Sequence, residues 1–342
     1  MFASAGSADA GVAARAAAAP RHSFTDRVAA LGRPLTRRQG LLVIAGALAV
    51  AAVSLALPST PTYDPWSWIA WGREIGHLAL DTHSGPSWKP LPVVFTTVFG
   101  FFGSAAPDLW LMVARTGGLL ALAMVFRLAV RLTDRRTALL AGLFAAFALL
   151  TSLEFVRGAA MGNSEGILVA LVLLAIERHL DAHRRHTFVL LFLAALLRPE
   201  IWPFLFLYGL WLVREERAAW KLVLGLFALL PLFWLGPEYW GSGQLFRAAS
   251  RAANPNANSP AFAAHPAIAV LDNLRPVLFT PAKVGAVFAF GLGLVTAARQ
   301  RRMNVWLWLS LAAAIWIAMV AGLTQFAHFS GNQRYLMVAT AV

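Results

Sequence analysis

The chain has 342 residues, of which 59% are hydrophobic and 13% charged, and its mean hydropathy of +0.64 excludes a soluble domain of ordinary composition. A formal net charge of +13 would suggest nucleic acid in a soluble protein, but these arginines alternate with long apolar runs, as the loops of a polytopic membrane protein do. No nucleic-acid partner is expected, because no basic module with interleaved aromatics is present. The lack of any cysteine removes disulfides, thiolate metal ligands and cysteine nucleophiles together.

Residues 1–39, rich in Ala, Gly and Arg, read as a disordered basic cytoplasmic tail. The apolar run 40–57 follows and reads as a retained signal anchor, with a cleaved signal peptide as the alternative. Further runs long enough to span a bilayer lie at 109–130, 137–153, 165–180, 219–236, 282–298 and 303–323. The stretch 187–213 is interrupted by "RPE" at Arg198, Pro199 and Glu200, and the residue before a proline avoids helix. It reads as a hairpin of two short helices whose tip reaches the outer side. A last helix starting at Tyr335 is cut off at 342. The fold class is therefore all-α, a polytopic transmembrane bundle of about 9–10 spans with an amphipathic surface helix after the first. Residues 40–342 form its membrane domain.

With the N-terminus cytoplasmic, 19 of the 29 Lys+Arg fall in the tail and in the connections 127–136, 177–186, 214–221 and 299–302. This satisfies the positive-inside rule. The outer side then carries the loop 58–90, a junction near Glu154 to Glu165, the "RPE" tip, the loop 237–281 and "HFSGNQRY" at 328–335. Chemistry, if present, is expected at that face of the cytoplasmic membrane.

The outer loop opens with "PTYDPWSWIAWGREIGH". Asp64 before Pro65 reads as a helix cap, and Trp68, Trp71, Ile75 and Leu78 share one face, which suits a helix lying at headgroup level. Asp64 as a cap and the tryptophans as an interfacial belt is one reading of these residues; a functional carboxylate is the other. "KPLP" at 89–92 leads into a short apolar helix that closes with "FG" at 102–103, and a second span begins near "ARTGGLL".

This order, with "LRPE" at 197–200 and "QRYLMV" at 333–338, resembles the GT-C superfamily of integral-membrane glycosyltransferases, the group of the bacterial protein O-mannosyltransferases and aminoarabinose transferases. The resemblance implies transfer of a sugar from a polyprenyl-phosphate carrier to a glycan, lipid or protein acceptor, with inversion. It makes Asp64 the general base and Lys89, Arg198 and Arg334 the cations that hold the donor phosphate; arginine suits that task through its planar donor fork. Structural alternatives remain open for two of them: an Arg198–Glu200 pair closing the hairpin, and Arg334 as an interfacial anchor. Glu74, His83, Glu154, Glu165, Glu200 and Tyr335 are possible substrate contacts, while Arg247, Arg251 and His265 are candidates on the acceptor side.

Many relatives carry two adjacent acids where this chain has Asp64 and Pro65. Glu74 and Asp81 are poorly spaced to replace the second, so no metal ligand set is identified and a divalent metal stays open; no other cofactor is expected. His179, His183 and His186 read as a cytoplasmic helix end. The alternatives to an enzyme are a transporter or lipid-carrier flippase, against which the chain lacks an internal repeat, and a non-catalytic scaffold of the cell envelope.

Overall fold

The computed structural model describes residues 24–342, so the tail expected to be disordered lies in large part outside the described residues. Within it, Phe24–Leu31 forms a helix (α1) that packs Val28 against Val130 and Ala138. This part of the tail is ordered because the bundle supplies an apolar partner. The described residues contain no strand.

The first long helix, α2 (Arg37–Ser54), starts at a capping box in which Thr36 and Gln39 satisfy one another's backbone N–H groups. Next come α3 (Tyr63–Gly76) and α4 (Pro90–Gly100), a helical pair in the loop that follows. The long α5 (Ala106–Leu132) leads to α6 (Ala138–Leu150) and α7 (Leu153–Ala160), bent by 70° at Ser152. Helix α8 (Glu165–Leu180) runs beside α5; a Cβ on Gly117 would stand 2.8 Å from the Ile167 backbone, and one on Gly166 2.8 Å from Gly118. Small residues at this crossing let the two backbones approach closely, as in membrane helix pairs.

The interrupted stretch is the expected hairpin, α9 (Arg184–Ala195) and α10 (Trp202–Glu215), joined by a turn over 196–201. Arg198 and Glu200 at its tip are buried, because the loop Lys89–Leu91 lies over them, with Leu91 N–H donating to Leu196 C=O at 3.2 Å. The chain continues through α11 (Trp220–Ser242), α12 (Arg247–Ala252), α13 (Pro266–Asp272) and α14 (Leu274–Val277) to α15 (Thr280–Gln300) and α16 (Val305–Ala327). It ends in α17 (Met337–Ala341).

Five helical segments among the described residues are long and apolar enough to cross a membrane, centred on α2, α5, α11, α15 and α16, and the bent α6–α7 pair is a sixth if its two arms count as one span. The α8 helix and the two arms of the α9–α10 hairpin are shorter, with 16, 12 and 14 residues. Around α15 the large apolar side chains Val284, Val287 and Phe288 point outward, as lipid-facing residues of a membrane bundle do.

Charged residues gather at the two ends of the bundle. At one end Arg127 and Arg131 of α5 pair with Glu177 of α8 and Asp181 just after it, with N···O distances of 2.5 and 2.6 Å. At the other end lie α3, α7, the hairpin tip and the start of α17.

Candidate functional site

Two layers build this second end. The outer layer is a cleft of about 950 Å³ whose wall includes Asp64, Glu154, Asn163, Asn273, Asn332 and Arg334. Asn256, Asn258 and Gln333 line it as well, so the cleft offers many neutral donors and acceptors beside its charged groups.

Asp64 does not cap α3. The helix begins two residues earlier than expected, with Thr62 at the cap position and no side-chain cap bond. The Thr62 hydroxyl instead donates to Asn163 Oδ1 at 2.8 Å. The Asp64 carboxylate is taken by the far end of the chain, where Arg334 Nη1 donates to Oδ2 at 2.7 Å. Burial alone raises the Asp64 carboxyl, but Arg334 and then Lys89 outweigh it and hold the group below the usual carboxylate range.

Behind this pair lies a buried layer. Lys89 Nζ sits 5.0 Å above the Trp68 ring, donates to Ser164 Oγ at 3.3 Å and approaches Glu165 Oε1 at 4.0 Å. Arg198 is hydrogen-bonded to the same Glu165 oxygen. The expected hairpin-closing pair is present but secondary: Glu200 Oε1 is 3.8 Å from Arg198, and neither Glu200 oxygen has a hydrogen-bond partner. Tyr335 lies between the two arginines, with Arg198 4.1 Å and Arg334 5.4 Å from its ring centre, within cation–π range.

Together the wall pair and the layer behind it hold three cations, Lys89, Arg198 and Arg334, and three carboxylates, Asp64, Glu165 and Glu200. A buried set of this kind is tolerable only when the opposite charges are interleaved. Burial and the neighbouring Arg198 guanidinium push the Lys89 ammonium down to about 7. Every member sits at a helix end or in a turn, so backbone irregularity and charge coincide at one level of the bundle.

Tryptophans fix this geometry. The face expected to lie on the membrane turns into the protein: Trp68 and Trp71 are buried because α4 returns along α3, with Thr96 Oγ1 donating to Trp68 C=O at 2.6 Å. Trp68 meets Trp110 edge to face at 5.6 Å, and Trp110 Nε1–H donates to Gly162 C=O at 2.8 Å. Trp88 Nε1–H, next to Lys89, donates to Phe233 C=O at 3.0 Å. Leu78 alone of the expected face is fully outside, 81% exposed, beyond the end of α3.

The remaining candidates fall elsewhere. Glu74, in the last turn of α3, accepts from Asp81 N–H at 3.0 Å, and His83 Nδ1, in the loop before α4, lies 2.9 Å from Asp81 Oδ1; neither lines the cleft. Arg247 is a staple. It bonds Glu238 at 3.0 Å and the Ser84 carbonyl at 2.7 Å, fastening that loop to the end of α11. Arg251 donates to Gly85 C=O at 3.3 Å in the same seam, and His265 stands at the start of α13. At the opposite end His179 contacts Tyr208 OH at 3.0 Å, and His183 stacks on His186 at 5.5 Å. Among the described residues no three His, Cys, Asp or Glu side chains gather as a metal site would require.

Sequence reasoning missed most of the carboxamide wall. Its only local signal is the Asn-rich "NPNANSP" at 254–260 and "GNQR" at 331–334, which read equally well as polar loops. Comparison with known proteins finds no matching family model, no matching curated protein and no matching solved structure.

Proposed function

We propose that this protein is an integral-membrane glycosyltransferase that moves a sugar from a polyprenyl-phosphate donor to a hydroxyl-bearing acceptor at the outer face of the cytoplasmic membrane. The observation that supports it most is the Asp64–Arg334 pair on the wall of a polar cleft, backed by buried Lys89 and Arg198. A carboxylate, a carboxamide-lined space and a reserve of cations at one end of a membrane bundle match a reaction with a proton to remove, a polyol to hold and a lipid phosphate to release.

In this reading Asp64 accepts the acceptor hydroxyl proton through its free Oδ1 as the hydroxyl oxygen attacks the anomeric carbon. The bond from that carbon to the phosphate oxygen breaks on the opposite face, which inverts the configuration. Its electrons stay with the polyprenyl phosphate, whose charge Arg334, Arg198 and Lys89 stabilise. General-base help of this kind is worth about 10²- to 10⁴-fold. The cleft carboxamides and Glu154 hold sugar hydroxyls, each offering both a donor and an acceptor or a second acceptor.

The deciding experiment is incubation of the purified protein with a panel of radiolabelled polyprenyl-phosphate sugars. Release or transfer of label from one of them, lost in Asp64→Asn, supports the reading. Intact donors across the panel, with a folded protein, would overturn it in favour of transport or a scaffold role.

A further inference from the structure

At the end of the bundle opposite the cleft, α1, the turn 33–35, α2 and α5 enclose a second cavity of about 630 Å³, a size that suits a small organic ligand or a portion of a lipid. Its walls are apolar: Leu31 and Leu35 from the N-terminal segment, Leu42 and Val43 from α2, Ala123 and Phe126 from α5. Only 6% of the spanning window of α2 is buried, so this crevice borders the lipid-facing side of the bundle.

Basic residues line this crevice or stand next to its lining residues in the chain. Arg33 lines the cavity, and Arg37 and Arg38 occupy the first turn of α2 beside Gln39, which also lines it. All three are exposed and carry no ion pair among the described residues. Arg127 lies deeper, bonded to the carbonyls of Leu31 at 2.5 Å and Arg33 at 2.9 Å and to Glu177. Its Nε is buried with no hydrogen-bond partner. Arg127 therefore holds the turn 33–35 in place as the roof of the crevice, and one of its donors remains unused.

We propose that this crevice is a binding site for an anionic phospholipid. One acyl chain lies against the apolar walls between α2 and α5, and the headgroup phosphate is held by Arg33, Arg37 and Arg38. The combination selects this ligand: apolar walls give a free anion nothing to bury, while unpaired guanidinia at the rim give a zwitterionic lipid no advantage over an anionic one. The site does not depend on the reading of Asp64, because it is built from other helices at the other end of the molecule.

The test is native mass spectrometry of the full chain released from detergent after incubation with equal amounts of phosphatidylglycerol and phosphatidylcholine of the same acyl chains. Wild type should retain the anionic lipid about tenfold more than the zwitterionic one, as expected for several arginines near one headgroup. Replacing Arg33, Arg37 and Arg38 together by Gln should abolish that preference, and replacing them by Lys should keep most of it. Leu42→Trp, on the lipid-facing helix, should reduce retention by occupying the crevice. Equal retention of the two lipids by wild type, or an unchanged preference in the folded triple Gln variant, overturns the site. If the triple variant does not fold, full retention by Leu42→Trp overturns it instead. Complete displacement of the lipid by millimolar inorganic phosphate would show an anion site without an acyl chain, and the proposal would fail.

Discussion

Arg334 Nη1 meets Asp64 Oδ2 at 2.7 Å across 270 residues of chain, so a loop near the start of the bundle and a turn near its end share one ion pair on the wall of the cleft. The pair separates two roles that the local sequence merges. Asp64 is free of any capping duty, and its chemistry is set by a cation from a distant segment.

Asp64→Asn keeps an oxygen that can accept from Arg334 but removes the charge and the basicity. Sugar transfer at saturating donor is expected to fall by at least about 10²-fold, with a smaller loss of melting temperature than in Asp64→Ala because the hydrogen bond from Arg334 can be kept. Asp64→Ala should lose activity to the same extent; no cap bond is lost, but Arg334 loses its carboxylate partner, so this variant should melt below wild type. Near wild-type turnover by the Asn variant would remove Asp64 from the mechanism.

Arg198 and Arg334 should behave differently when truncated. Arg198 is 4% exposed and stands between Glu165 and Glu200, so Arg198→Ala leaves buried carboxylates uncompensated at a cost of about 3–5 kcal/mol. The Arg334 side chain is 27% exposed, and its removal should weaken donor binding with a smaller loss of stability. The double change Arg198→Leu with Glu165→Leu should recover part of the melting temperature, since Glu200 and Lys89 stay buried, without recovering donor binding. Recovery of both would assign Arg198 a packing role alone.

Lys89 gives a pH signature. Its ammonium loses its proton near 7, whereas a phosphodiester donor stays singly anionic throughout the neutral range. Binding of that anion favours the charged lysine, so it draws in a proton when the pH is above 7. Donor affinity should therefore decline as pH rises beyond 7, approaching about tenfold per unit. Lys89→Gln should bind more weakly and show no such slope between pH 7 and 9. A slope that persists in Lys89→Gln would assign the titration to another group.

Topology can be tested directly because the chain has no cysteine. Ser84 and Ala257 are exposed at the cleft end, and Arg136 and His183 at the opposite end. Single cysteines at the first two positions should react with an impermeant maleimide added to intact cells, and those at the last two should react only after permeabilisation. The reverse pattern would place the cleft in the cytoplasm and exclude the outer-face reaction.

The helical class and the hairpin around Arg198 were legible in the sequence because they depend on local quantities: the length of an apolar run, a proline that interrupts it and arginines that flank it. The level of Lys89, Arg198 and Arg334 was legible for a related reason, since each stands at the end of an apolar segment. Their pairing was not. A carboxylate has the same local appearance whether it caps a helix or meets an arginine 270 residues away, and only the return of the chain at 330–335 decides between them. The tryptophans of α3 make the same point, because their spacing defines an apolar face but not what covers it; α4 folding back on that face turned an expected membrane contact into protein core. The carboxamide wall is the extreme case. Its residues come from at least four separate stretches, and each is an ordinary polar loop residue until tertiary packing sets them around one space.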